Sequence, residues 1–273
     1  TRSRIWLFRE RPEDPIGIEG QIPLGGSDVW RRLPVPDPLE FSGGQLRRAL
    51  EDRGIKIAGE VVTVREASLS PLSNDSSVAG LDGQAPPRIL AIQDSPPLLD
   101  LLRIINKESN NFFAESVLKT LGRVVNGDGS FSGGSRAVET FLTDVVGVSP
   151  AEFLVKDGSG LSAKNQASPV VFVQTLAYMA STPYWAEFLG TLPEAGVRRE
   201  LGRMYRSPAA GNLRAKTGTM DGVSALSGLV RTPSGERVLF SILSNEVASE
   251  YRAKRAEDRL GIRLASLTRP SGD

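Results

Sequence analysis

Histidine and cysteine are both absent from the 273 residues of this chain. Without histidine, no side chain has an ordinary pKa near neutrality, which excludes a Ser-His-Asp relay. Without cysteine there is no thiol nucleophile and no disulfide, although that absence is compatible with any compartment. The two absences together remove most ligands for transition metals. Any acid–base group working near neutrality must then be a lysine with a lowered pKa or a carboxyl with a raised one. Long apolar runs are missing too: the best, residues 170–180, is interrupted by Gln174 and is too short to cross a bilayer. Excess charge is also missing. Thirty-three basic residues against 32 acidic ones leave a net charge of +1, which offers no overall attraction to nucleic acid or to an anionic membrane.

What is present is an ordinary globular composition, 40% apolar and 24% charged. The length suits one large domain or two smaller ones, with a substantial core. The chain opens on Thr1-Arg2-Ser3-Arg4, neither an initiator methionine nor a signal peptide, and we read this as a processed or truncated start. Residues 1–35 read as extended, with Ile5-Trp6-Leu7-Phe8 apolar and residues 17–22 alternating between turn signals. Pro34, Pro36 and Pro38 punctuate a boundary, so the expected organisation is 1–35 and 36–273. Helical spacing over 45–53, stopped by Gly54, precedes a strand-like alternation over 55–64. Residues 68–87 are rich in Ser, Pro, Gly, Asn and Asp and are expected to form a long surface loop.

Helices are expected over 98–105, with Ser95 near the cap, and from a cap at Ser109 or Asn110 to about 121. Others are expected over 136–146, 169–180 and 184–189. Strand-like runs follow at 212–218, 222–230 and 237–243, the last two joined as a hairpin by Thr232-Pro233-Ser234-Gly235. A closing helix over 247–267 places Val247, Tyr251, Leu260, Leu264 and Leu267 near one face. The order of elements predicts an α/β (α+β) fold, an antiparallel sheet flanked by helices. No internal repeat is visible.

Three short motifs carry chemistry. In Lys216-Thr217-Gly218-Thr219 the ammonium can hold a carboxylate, and the hydroxyls of Thr217 and Thr219 add donors beside it. Gly218 removes a Cβ that would block a ligand lying along a strand edge. Such an edge can pair with an extended peptide, and an edge amide can stabilise a tetrahedral oxyanion. Ser109-Asn110-Asn111 sets a hydroxyl and an amide two positions apart at a helix entry, where Ser109 can relay a proton and Asn111 can orient a carbonyl or a lysine. Asp157-Gly158-Ser159-Gly160-Leu161-Ser162 is a tight loop whose Asp157 and Ser159 can bond its own backbone, a largely architectural role. Singly, each is as well explained by a surface lysine, a helix cap or a turn.

In this order and together, the three motifs resemble the penicillin-recognising serine D,D-peptidases. More narrowly they are similar to the class C low-molecular-mass penicillin-binding proteins, the D-alanyl-D-alanine carboxypeptidase/endopeptidase (S13-like) family. Supporting stretches are Ser95-Pro96-Pro97-Leu98, Phe113-Ala114-Glu115, Leu192-Pro193-Glu194-Ala195-Gly196, Leu201-Gly202-Arg203 and Phe240-Ser241-Ile242-Leu243-Ser244-Asn245. The resemblance covers roughly 38–267. Asn110 stands where Asp is commoner, a position expected to point away from the substrate. The resemblance implies a β-lactamase/transpeptidase-like fold preceded by a short remnant of inserted β-rich domains at 1–35. It further implies a periplasmic or extracytoplasmic hydrolase acting on the peptidoglycan stem peptide. Such an enzyme cleaves D-Ala-D-Ala or D-Ala-meso-diaminopimelate bonds through an acyl-enzyme, binds β-lactams, and uses no cofactor, metal, nucleic acid or transmembrane segment. By the same resemblance Ser109, Asn111 and Lys216 are catalytic, and Thr217, Gly218, Thr219, Asp157 and Ser159 bind substrate.

The family's nucleophile lies in a Ser-X-X-Lys motif, and the only match here is Ser116-Val117-Leu118-Lys119. We read it as a chance match inside a predicted helix. On one continuous helix Ser116 would sit about 10 Å along the axis from Ser109, too far for the hydroxyls to share a substrate. The chain is therefore expected to be the C-terminal part of a longer enzyme, or a descendant that has lost its first motif, and not to form an acyl-enzyme in isolation. The alternatives are a non-catalytic peptidoglycan-binding homologue and a β-lactamase.

Overall fold

The computed structural model describes residues 3–11, 13–31, 33–66 and 91–268. The loop expected over 68–87 lies outside the described residues. Contacts divide the chain into two compact units, Thr1–Ile92 and Gln93–Asp273.

In the first unit, strands β1 (Arg4–Phe8) and β2 (Gly17–Gln21) pair antiparallel with Trp6 opposite Glu19. Helix α1 (Pro38–Glu51) begins earlier than its apolar spacing indicated. Asp37 caps it, accepting from Leu39 N at 3.0 Å and Glu40 N at 3.2 Å, and Pro38 fills the first turn, where no N–H is missed. Gly54 adopts φ 82° just past its end, as its stop role required. The strand expected over 55–64 does not form. The Arg47 guanidinium donates to the carbonyls of Gly59 (2.6 Å) and Ile57 (3.3 Å), so a side chain takes the place of a neighbouring strand.

The second unit holds the motifs. Helix α2 (Leu98–Glu108) ends at Ser109, which adopts a left-handed φ of 52° and redirects the chain. No side chain caps the start of α2; Ser95 Oγ donates instead to Pro96 O at 3.1 Å. Asn110, not Ser109, caps α3 (Asn111–Asn126), accepting from Phe113 N at 3.0 Å. Helix α4 (Phe131–Thr140) starts five residues before the expected position because Ser130 caps it, and it widens into a π-helical stretch over Phe141–Val146. Helices α3 and α4 touch through glycine: a Cβ on Gly134 would lie 2.4 Å from Leu118 O. Short strands β3 (Phe153–Leu154) and β4 (Gln166–Ala167) pair antiparallel and bracket the Asp157 loop. Their two-residue length leaves no periodicity to read. Helix α5 (Pro169–Ala180) matches its predicted bounds, and α6 (Trp185–Thr191) follows.

Strands β5 (Arg214–Met220), β6 (Val223–Arg231) and β7 (Arg237–Ser244) form an antiparallel sheet in that order. The β6–β7 hairpin is as expected, with Gly235 at φ 84°. Helix α7 (Glu250–Ala265) packs mainly on β6, and α5 mainly on β7. The main core gathers Ala215, Leu226, Val230 and Phe240 from the strands with Leu201, Met204, Leu213 and Ala265.

The inward face of α7 matches the predicted one only in part: Leu264 packs against the core, and Val247 and Leu267 are half-buried. Tyr251 and Leu260 are 68% and 50% exposed, whereas Glu257, Gly261 and Ala265 are buried. Glu257 accepts from Ser224 Oγ of β6 at 2.5 Å and from Arg203 Nη2 at 2.9 Å, so its charge is neutralised where it is buried. Arg203 Nε also lies 3.2 Å from Asp258 Oδ1, close enough for an ion pair, but that oxygen has no hydrogen-bond donor. Burial pushes the Asp258 carboxyl above its ordinary pKa, and Glu257 adds to the rise against the opposing charge of Arg203.

Candidate active site

The turn at Ser109 and the margin of the sheet converge. Lys216 Nζ donates to Ser109 Oγ at 2.5 Å and to Thr217 O at 2.9 Å. Because the hydroxyl oxygen accepts from the ammonium, its own proton remains free to be donated elsewhere. Ser109 is exposed and Lys216 half-buried. Burial holds the Lys216 ammonium below the ordinary lysine pKa, which suits a group that must handle protons in a chain without histidine.

The sheet explains why Lys216 stands there. Lys216 lies opposite Ser227 and Gly218 opposite Ala225, while Thr217 pairs with the buried Leu226 and Thr219 with the buried Ser224. Alternation therefore puts Lys216 and Gly218 on one face of the sheet, and Thr217 and Thr219 on the face toward α7. The main chain of β5 has its own polarity. Ala215 N donates to Pro193 O at 3.0 Å, and Leu213 O accepts from Ala195 N at 2.9 Å. Odd-numbered residues of β5 thus direct their backbone groups away from β6. Beyond Ala215 no strand pairs with that side among the described residues, which leaves Thr217 and Thr219 to present an open edge. A Cβ on Gly218 would meet only Ala225 Cβ, at 3.4 Å. The chain's own packing does not demand glycine there.

A second cluster forms around α3. Asn111, Asp157 and Ser159 line a shallow groove of about 380 Å³ with Phe112, Glu115, Phe131, Lys156 and Leu161. Ser109 and Lys216 are not part of that lining. The Asp157 loop is built as expected: Asp157 Oδ1 accepts from Gly160 N (2.7 Å) and Asn165 Nδ2 (2.8 Å), and Oδ2 accepts from Ser162 N (2.6 Å). Glu115 clamps the loop to α3, its carboxylate accepting from Gly158 N at 2.9 Å and Ser159 N at 3.0 Å. Gly158 lets them approach, since a Cβ there would lie 2.6 Å from Ala114 O.

The sequence reading also missed a charged brace beside the Ser109–Lys216 pair. Lys107 Nζ donates to Glu200 Oε1 at 2.7 Å, Glu194 N donates to Glu200 Oε2 at 2.9 Å, and Arg214 pairs with Glu194. Burial raises the Glu200 pKa, but the bonds from Lys107 and Glu194 and the charges of Lys107 and Arg214 outweigh it and hold the carboxyl below its ordinary value. Lys107 precedes Ser109 by two positions, and Arg214 precedes Lys216 by two; that offset was the available signal. Glu200→Gln keeps the shape and removes the charge. It is expected to cost about 1–2 kcal/mol in a urea titration, and an unchanged midpoint would show that the brace contributes nothing.

The half-buried ammonium carries a stability cost of its own. A lysine whose folded pKa lies below its unfolded value destabilises the fold at pH values below the folded pKa. That penalty fades as pH rises toward the unfolded value of about 10.4. Lys216→Met is therefore expected to raise the thermal midpoint at neutral pH, with the gain shrinking as the pH approaches that value. A lower midpoint at neutral pH would show that the bonds to Ser109 and Thr217 outweigh the cost of burial.

Comparison with known proteins bears on family and fold. The chain is 32% identical over 267 residues to the D-alanyl-D-alanine carboxypeptidase of Actinomadura sp. (strain R39), covering 95% of this chain and 46% of that protein. It is 32% identical over 176 residues to the D-alanyl-D-alanine carboxypeptidase DacB of Haemophilus influenzae, covering 62% of this chain and 36% of that one. The chain thus spans less than half the length of these relatives. Penicillin-binding protein 4 (dacB) from H. influenzae, solved in complex with a β-lactam, superposes with a TM-score of 0.73 at 23% identity over 97% of this chain and 60% of that one. That likeness is one of fold, helices around an antiparallel sheet, as the transpeptidase-like expectation required. With residues 9–267 matching, the chain belongs to the D-Ala-D-Ala carboxypeptidase 3 (S13) family.

Proposed function

We propose that the chain carries part of the active site of a serine D,D-carboxypeptidase/endopeptidase. It would act on peptidoglycan outside the cytoplasmic membrane, cleaving D-Ala-D-Ala or D-Ala-meso-diaminopimelate bonds, and β-lactams would acylate it. The observation that carries this reading is the 2.5 Å hydrogen bond from Lys216 to Ser109, made across 107 positions of sequence. Lys216 holds the Ser109 oxygen and adds positive charge where the substrate's terminal carboxylate binds. Ser109 passes its proton to the leaving amine, and Asn111 orients the acyl carbonyl or the nucleophile's lysine. The open backbone of Thr217 and Thr219, with Gly218 between them, pairs with the extended peptide and offers an edge amide to the tetrahedral oxyanion. Asp157 and Ser159 shape the floor beside Asn111. Among the described residues no helix is long and apolar enough to cross a membrane.

Ser116 is not the acylated serine in this reading. Its hydroxyl donates to Phe112 O within α3 at 2.9 Å, and Lys119 Nζ lies 5.2 Å from the Phe131 ring centroid. Neither side chain is engaged with the other or with Lys216. We place the nucleophile in a Ser-X-X-Lys outside these 273 residues. The test is to express the complete reading frame and the present chain separately and treat both with a fluorescent penicillin. Covalent labelling of the complete protein alone supports the proposal. Labelling of the present chain would place the nucleophile within it. No labelling of either would favour a non-catalytic peptidoglycan-binding homologue, and rapid turnover of the penicillin would favour a β-lactamase.

A further inference from the structure

The near-zero net charge conceals an uneven distribution. At about 100° per residue, the buried face of α7 is marked by Glu257, Gly261 and Ala265. Arg252, Arg255, Arg259 and Arg263 fall within an arc of about 80° on the opposite side, a ridge about 16 Å long. All four are exposed, and none makes an ion pair among the described residues. Arg255 lies over the Tyr251 ring at 5.9 Å. The acids of the helix are turned inward: Glu250 accepts from Gly222 N at 3.0 Å, Glu257 is 1% exposed, and Asp258 faces Arg203. A merely solvated helix face is stabilised by alternating charges at i,i+4, whereas like charges at that spacing destabilise it. Here Arg255, Arg259 and Arg263 stand at successive i,i+4 positions, with Arg252 at i−3. The exposed Tyr251 and Leu260 flank the ridge, side chains suited to the boundary between headgroups and acyl chains.

We propose that the outer face of α7 docks the protein on an anionic phospholipid surface. A row of guanidinium groups on one helix face complements a surface of phosphates, and bidentate pairing with phosphate removes the self-repulsion within the helix. The ridge lies on the opposite side of α7 from the sheet, so docking leaves the β5 edge uncovered by the helix that binds. The inference does not depend on the catalytic reading.

The experiment is co-sedimentation of the full chain with vesicles of phosphatidylcholine alone and of phosphatidylcholine with phosphatidylglycerol, at low and at physiological salt. Binding is expected only to the anionic vesicles and is expected to weaken as salt rises. Arg255→Gln with Arg259→Gln should lower the partition coefficient by roughly 25-fold, about fivefold per charge. The same charge change made at Arg198 and Arg199, exposed but off this helix, should lower it far less. Replacing the helix arginines by lysine should preserve most of the binding. No binding to anionic vesicles at low salt would overturn the proposal. So would equal losses in the two glutamine pairs, or binding to soluble polyphosphate without binding to vesicles.

Discussion

Lys216→Ala, made in the complete protein, is expected to slow acylation by a labelled penicillin by roughly 10²- to 10⁴-fold, the usual contribution of a positioned proton-transfer system. Ser109→Ala should fall in the same range. The more telling result is the double variant. If the ammonium and the hydroxyl act as one unit, as their 2.5 Å contact implies, removing both should cost little more than removing either. Losses that multiply would mean that the two side chains serve separate steps. Lys216→Arg is not a neutral control: a guanidinium stays charged and is larger, so it should recover part of the carboxylate binding but not the proton handling.

The second large effect is on stability. Glu257 is 1% exposed and accepts from both Ser224 and Arg203. Glu257→Ala leaves the half-buried Arg203 without its main partner, and Arg203 Nη1 already lacks one. The expected cost is about 3–5 kcal/mol in a denaturant titration. Adding Arg203→Met should recover most of it, because removing both charges also removes the unpaired one. If the double variant is no more stable than Glu257→Ala alone, the cost comes from the cavity and not from the orphaned guanidinium.

Burial of this charge also shows what the sequence concealed. The helix at the C-terminal end was legible, and Leu264 of its expected face does pack on the core, but Tyr251 and Leu260 were counted inward as well, because apolar residues are the usual mark of a buried face. The real face is Glu257, Gly261 and Ala265, one residue paired by an arginine 54 positions away and two that are small. The strand expected over 55–64 fails for a related reason. Its alternation is real, but a strand also needs a neighbour, and here Arg47 serves the carbonyls of Ile57 and Gly59 instead. Elements whose signals are local were legible: the proline-led helix α5, the hairpin turn at Gly235, and the cap at Asn110, one of two candidate positions, whereas the cap at Ser130 was missed.

The motif pair was legible for a different reason. Ser109 and Lys216 are remote in sequence, and only their order and chemistry suggested that they meet. The geometry that joins them rests on local features: a left-handed residue that ends α2, and an edge strand whose outer backbone is paired only as far as Ala215. Glu115 and Glu200 were not recognised as supports. A single carboxylate in a helix or a turn has no pattern of its own, and its partners lie 43 and 93 positions away.

The most direct test of the central claim is a crystal structure of the complete protein with a β-lactam bound. The account predicts the antibiotic lying antiparallel along β5, its carboxylate within hydrogen-bond reach of Lys216 or Thr217 and its ring nitrogen facing Ser109. A covalent adduct whose carboxylate sits away from β5, with the bond between Ser109 and Lys216 unengaged, would contradict it.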